Sequence, residues 1–142
     1  MVLYGHQAGQ LSRTFKKVLN EQLHDSHLYA AQWGLVMFLY TEGPHSQRAI
    51  ADYMKVEAPT LTRMVNRLNQ EGWIKKEEGL DRRKRIIGLT DEAKAHYQEW
   101  KAISDKIEKK ATRGISEEEL EIFRKVSEKM IINLDGDKRY VF

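Results

Sequence analysis

The chain has 142 residues, a formal net charge of +3 and no cysteine. That length suits one domain with a core of its own, extended by helices that pack on a partner. The missing cysteine excludes disulfides, thiolate zinc sites and thiol chemistry, and the longest apolar run, WGLVMFLY at 33–40, is too short to span a bilayer, so a cytoplasmic protein without a membrane partner is expected.

Leu11, Phe15, Val18, Leu19 and Leu23 recur at helical spacing and predict an amphipathic helix over about 8–25. The next helix, about 29–42, is apolar on nearly every side and must be buried in the domain or at an interface. Gly43 and Pro44 end it. Ser46 is placed to cap a short helix reaching Met54, and after a brief turn Pro59 stands at the start of another. This is the rhythm of a helix-turn-helix.

The helix over about 58–71 carries Leu61, Met64, Val65 and Leu68 as its seating stripe. At about 100° per residue, Pro59, Arg63, Asn66 and Gln70 lie opposite, with Thr62 and Arg67 on the flanks. Guanidinium, amide and hydroxyl groups on one exposed face suit base edges and phosphates; an ordinary solvated face is the plainer reading.

Gly72 closes that helix. WIKKE and RIIGL, rich in strand formers, then flank a loop at 79–83 and predict a β-hairpin, so that a wing follows the helix-turn-helix. Arg82, Arg83, Lys84 and Arg85 crowd its tip. Lys and Arg outnumber Asp and Glu by ten to six over residues 44–90, whereas the flanking stretches are close to balance. A basic segment between balanced ones points to an anionic partner.

Thr90, with Asp91 and Glu92 in the first turn, opens a long helix to about Arg113 with Ala93, Tyr97, Trp100, Ile103 and Ile107 along it. Ser116 and Glu119 form a capping-box pattern for a last helix bearing Leu120, Phe123, Met130, Ile131 and Leu134. The fold expected is mainly α with a small β-hairpin.

In this order the elements and residues resemble the MarR family of bacterial transcription regulators. The resemblance runs from QWGLVMFLYTEGPHSQRAIADYM through VEAPTLTRMVNRLNQEGWIKK to DRRKRIIGLT, and rests on Pro59, Thr60, Thr62 and Arg63, on the GWI at 72–74, on the D-R-R at 81–83 and on the L-T at 89–90. Where many members of that family have a glycine after L-T, this chain has Ala93, which a helix tolerates well. Glu57 and Ala58 stand ahead of Pro59 where a Ser, Thr or Asn cap would be usual.

The resemblance implies a homodimer with an N-terminal dimerisation helix in 1–28, a winged helix-turn-helix DNA-binding lobe in 29–90 with its wing at 73–89, and C-terminal helices in 91–142 that complete the interface. Leu11, Phe15, Leu120, Phe123 and Met130 are the interface residues expected. It further implies that Pro59, Thr60, Thr62, Arg63, Asn66 and Arg67 enter the major groove of double-stranded DNA, that Asp81 orients Arg83 into a minor groove, and that Arg82, Lys84 and Arg85 add phosphate contacts. Ser46 and Gln47 are expected against the DNA backbone.

Relatives often hold a small lipophilic anion between the dimer helices and the DNA lobe, a role for which Arg13, His27, Tyr29, Trp33 and Met37 are the candidates here; plain core and interface packing is the alternative. Of His6, His24, His27, His45 and His96, His24 and His27 have a spacing able to chelate, but apart from Asp25 between them no third ligand of His, Asp or Glu is evident, so no metal and no cofactor is expected. No phosphate loop or nucleophile motif occurs, and Ser46 beside His45 lacks a third partner, which argues against an enzyme. The function expected is a sequence-specific DNA-binding regulator that represses as a homodimer and is released by an effector. A winged helix used for protein contact is the competing class.

Overall fold

The computed structural model describes residues 1–78 and 85–136. Six helices and three short strands follow in chain order: α1 (Tyr4–Leu23), α2 (Ala30–Glu42), β1 (His45–Ser46), α3 (Gln47–Met54), α4 (Ala58–Gln70), β2 (Ile74–Glu78), β3 (Arg85–Leu89), α5 (Asp91–Ala111) and α6 (Glu117–Asp135).

The apolar α2 runs through the centre of the domain, where Trp33, Leu35, Val36, Phe38 and Leu39 are buried. Around it pack Ile50 of α3, Leu61, Val65 and Leu68 of α4, Ile74 and Ile87 of the sheet, and Ala93, Tyr97 and Trp100 of the first half of α5. Trp33 stacks on Tyr97 with ring centroids 5.4 Å apart, and Trp73 meets Trp100 edge-on at 5.1 Å. Aromatic pairs in these arrangements add to what burial alone contributes.

The caps read from the sequence hold three helix starts. Ser46 Oγ accepts from the Ala49 amide at 3.1 Å and Thr90 Oγ1 from the Ala93 amide at 3.2 Å. Ser116 and Glu119 close their box reciprocally, at 3.1 and 3.2 Å. Helix α4 starts as its sequence foretells, from Glu57 without a side-chain cap, with Pro59 in its first turn. Lys55, in the left-handed region at φ +58°, turns the chain between α3 and α4.

One element was not expected. His45 and Ser46 pair antiparallel with Ile87 and Ile86, which makes the hairpin a three-stranded sheet of order β1-β3-β2. The expected hairpin forms, with β2 and β3 paired antiparallel from Ile74 opposite Leu89 to Glu78 opposite Arg85. Gly88 makes a close approach: a Cβ there would lie 3.1 Å from the Pro44 ring, which would have to give by a few tenths of an ångström. Two residues of strand carry no periodicity, so only the paired backbone reveals β1.

Helices α1 and α6 differ from the rest. Leu23 is the buried residue of α1, and α6 has none. An ion pair of 2.5 Å between Lys55 and Asp135 ties the end of α6 to the α3–α4 turn.

Candidate nucleic-acid interface

Helix α4 is seated by Leu61, Val65 and Leu68, all almost fully buried. That anchorage fixes the direction of its other face. Pro59, Arg63, Asn66, Arg67 and Gln70 are exposed, and Thr60 and Thr62 are half-buried. Arg63, Asn66, Arg67 and Gln70, with Glu71, line a shallow depression on that face. Arg63 Nη2 donates to Thr60 Oγ1 at 3.4 Å, and the Thr62 hydroxyl donates to the Ala58 carbonyl at 3.0 Å. The six recognition-helix residues expected from the sequence therefore share one helix face.

Beside that face runs an open groove of about 960 Å³, bordered by the start of α3, the start of α4 and Arg85 at the head of β3. Ser46, Gln47, Arg48, Thr62 and Arg85 bring hydroxyl, amide and guanidinium groups to it, with Asp52 and Glu57 on the α3–α4 side. The Ser46 oxygen is occupied in capping α3, and its proton remains to donate. Arg48 was missed by the sequence reading. It follows Ser46 and Gln47 directly, and only the fold turns it into the same groove as Arg85. Asp81, Arg82, Arg83 and Lys84 lie outside the described residues.

The residues expected around an effector separate into groups. Trp33 and Met37 line a cleft of about 350 Å³ between α1, α2 and α5, closed by Phe15, Leu19, Tyr97 and Ile107 and edged by Lys16, Lys101, Asp105 and Glu108. Lys101 donates to Asp105 at 2.7 Å, and that bond holds its ammonium pKa above the ordinary value. Burial raises the pKa of the Tyr97 phenol, against an opposing pull from Lys101. Arg13, His27 and Tyr29 are not among the lining residues.

Arg13 is exposed on α1. His27 and Tyr29 lie before α2 and face α4: His27 is 3.9 Å from Glu71, and Tyr29 meets Arg67. Nothing in the local periodicity signals these partners, which come from the far end of the lobe.

The histidines are also dispersed. His24 sits 2.8 Å from Asp25, His45 Nδ1 lies 2.9 Å from the Gly43 carbonyl, and His96 packs against Trp73 and Trp100. Among the described residues no three His, Cys, Asp or Glu side chains group to hold a metal. No described helix is long and apolar enough to cross a membrane.

The expected interface residues are spread over two surfaces. Leu11 and Phe15 border a small apolar groove between α1 and α5, with Val18, Ile107 and Ala111. On α6, Leu120 is half-buried, whereas Phe123 and Met130 are 57% and 40% exposed.

Comparison with known proteins agrees with this geometry. The family model described as the MarR family matches residues 28–85. The HTH-type transcriptional regulator YwoH of Bacillus subtilis (strain 168) is 38% identical over 118 residues, which span 83% of this chain and 86% of that protein. Among solved structures, the transcriptional regulator PA3341 superposes with a TM-score of 0.80 at 27% identity, covering 94% of this chain and 98% of that one. A mutant of MarR from E. coli complexed with operator DNA has the same fold, with a TM-score of 0.80 at 19% identity over 89% of this chain and 92% of that one.

Proposed function

From a chain that belongs to the MarR family of transcription regulators, we propose a homodimer that binds double-stranded DNA sequence-specifically and represses by occupying a pseudo-palindromic operator. The observation that carries this reading is the single face of α4 on which Arg63, Asn66, Arg67 and Gln70 stand exposed above a buried Leu61, Val65 and Leu68. Such a helix offers the major groove both the bidentate donors that guanine accepts and the amides that adenine accepts.

In the groove beside it, Ser46, Gln47, Arg48 and Arg85 bring hydroxyl, amide and guanidinium donors suited to the sugar-phosphate backbone. On this reading Asp81, Arg82, Arg83 and Lys84 extend the contact into the neighbouring minor groove. Residues 1–28 and 91–142 form the dimer, and residues 29–90 read the DNA. Two-fold symmetry then sets the half-sites about 10 base pairs apart, one helical turn.

Effector release belongs to the cleft of Trp33 and Met37, where Lys16 offers a cation to a small lipophilic anion. A ligand there would act by favouring a spacing of the two lobes that no longer fits the operator.

Selection from random duplexes followed by fluorescence anisotropy tests the proposal. A recurrent palindromic motif is expected, with an affinity that falls steeply as salt rises and collapses in Arg82→Ala/Arg83→Ala. A folded protein that binds no duplex at low salt would move the assignment to a winged helix that docks on protein.

A further inference from the structure

The two arginines on the reading face of α4 are held differently. Among the described residues Arg63 reaches Thr60, at 3.4 Å. Arg67 lies over the ring of Tyr29, its Cζ 4.1 Å from the centroid, and donates through Nη2 to the phenol oxygen at 2.5 Å. Two contacts with one side chain, to the ring and to its phenol oxygen, restrict the rotamers open to the guanidinium.

Tyr29 is itself tied down. Its amide donates to Oε1 of Gln32, which is a buried polar side chain, at 3.0 Å. The next amide, of Ala30, donates to Asn20 Oδ1 of α1 at 2.7 Å. Two residues earlier, His27 turns the chain at φ +54°, and its carbonyl accepts from Trp73 Nε1 at 3.3 Å. The backbone around Tyr29 is thus pinned to α1, to α2 and to the foot of the wing, while the residue remains 47% exposed.

An exposed arginine on a helix ordinarily samples many rotamers, and ordering it on a ligand costs affinity. A guanidinium already clamped by a ring avoids most of that cost. Of its five N–H groups, the phenol takes one, and enough remain for a bidentate contact. We propose that Tyr29 is a positioning residue for DNA recognition, holding Arg67 in the orientation from which it contacts the duplex. The proposal rests on the DNA-binding reading above. It also gives Tyr29 a role in reading DNA in place of one in effector binding.

The test is a double-mutant cycle on the selected operator with wild type, Tyr29→Phe, Tyr29→Leu, Arg67→Ala and Tyr29→Leu/Arg67→Ala, together with ¹⁵N relaxation of the Arg67 Nε–H in the DNA-free protein. Tyr29→Leu is expected to weaken operator binding about tenfold, and Tyr29→Phe, which keeps the ring, about threefold. In the Arg67→Ala background Tyr29→Leu should change nothing. The Arg67 Nε–H should be ordered in the wild type, partly ordered in Tyr29→Phe and mobile in Tyr29→Leu.

Equal losses with and without Arg67, or an Arg67 side chain equally mobile in wild type and Tyr29→Leu, would overturn the proposal. A wild-type protein that selects no sequence overturns the DNA-binding reading first. The two failures are told apart because in the former the wild type still binds.

Discussion

The domain built on α2 and the helix α6 are made of similar materials and end in opposite states. Both carry apolar stripes at helical spacing. In the domain, Leu35, Val36, Ile50, Leu68, Ile87 and Ala93 are closed off from solvent entirely. In α6 no residue is buried, and Ile122, Phe123, Val126, Ile131 and Leu134 face outward. The capping box and the Arg124 bridges to Glu121 and Glu128, at 2.8 and 3.1 Å, favour α6 as a helix without seating it on anything. Periodicity is thus a statement about a helix, and burial a statement about its neighbours. One region of this chain supplies its own neighbours, and the other leaves large apolar side chains exposed, as the proposed dimer requires. Helix α5 spans the contrast: Ala93, Tyr97 and Trp100 in its first half are buried, and Ile103 and Ile107 further on are half-buried.

The sharpest way to break the comparison is to charge the open face. Phe123→Glu with Val126→Glu changes four side chains in a symmetric pair, and should cost on the order of 5 kcal/mol of association. Sedimentation equilibrium should find a monomer whose circular dichroism still reports the folded domain. A dimer of unchanged affinity would take α6 out of the interface.

The opposite change is made in the closed region. Leu68→Ala opens a cavity beneath α4 and should lower stability by about 3 kcal/mol in denaturant titrations, while leaving self-association of the folded protein as it was. A loss confined to dimerisation would mean that the two regions are not separable in this way.

Smaller effects are expected on the surface that reads DNA. Arg63→Ala should cost about 1 to 3 kcal/mol of operator binding and relax the base preference. Arg48→Ala, in the backbone groove, should weaken all duplexes alike and lower the salt slope by about one phosphate. Identical selected motifs for wild type and Arg63→Ala would remove Arg63 from base reading.

The smallest effect appears only at high pH. Burial raises the pKa of Tyr97 and also of Tyr53, where Glu42 adds to the shift. A phenol whose folded pKa is raised contributes stability that is fully present below the ordinary value of 10.0, and that is lost as pH rises from there through the folded value. Unfolding free energy should therefore begin to fall above pH 10, and Tyr97→Phe should flatten the decline. An unchanged pH profile in Tyr97→Phe would mean that this phenol is not what titrates.

Much of the fold was legible in the sequence because the forces involved are local. Ser46, Thr90 and Ser116 cap helices through groups only three residues away. Apolar residues at threes and fours marked five helices, and alternating strand formers marked the hairpin. The exposed set on α4 followed from the same arithmetic, because a helix that buries Leu61, Val65 and Leu68 has no choice about where Arg63 and Asn66 point.

Tertiary structure decided what depends on partners far along the chain. The β1 strand exists only because β3 offers it a backbone edge. Arg48 joins Arg85 across 37 positions, and Arg67 finds Tyr29 across 38. The candidate effector residues parted for the same reason: Trp33 and Met37 were drawn toward α5, whereas His27 and Tyr29, off the helical stripe, met α4. Chain pattern sets which face of an element is apolar, and packing sets which side chains become neighbours. The first is encoded within a few residues, and the second arises only when the whole core closes.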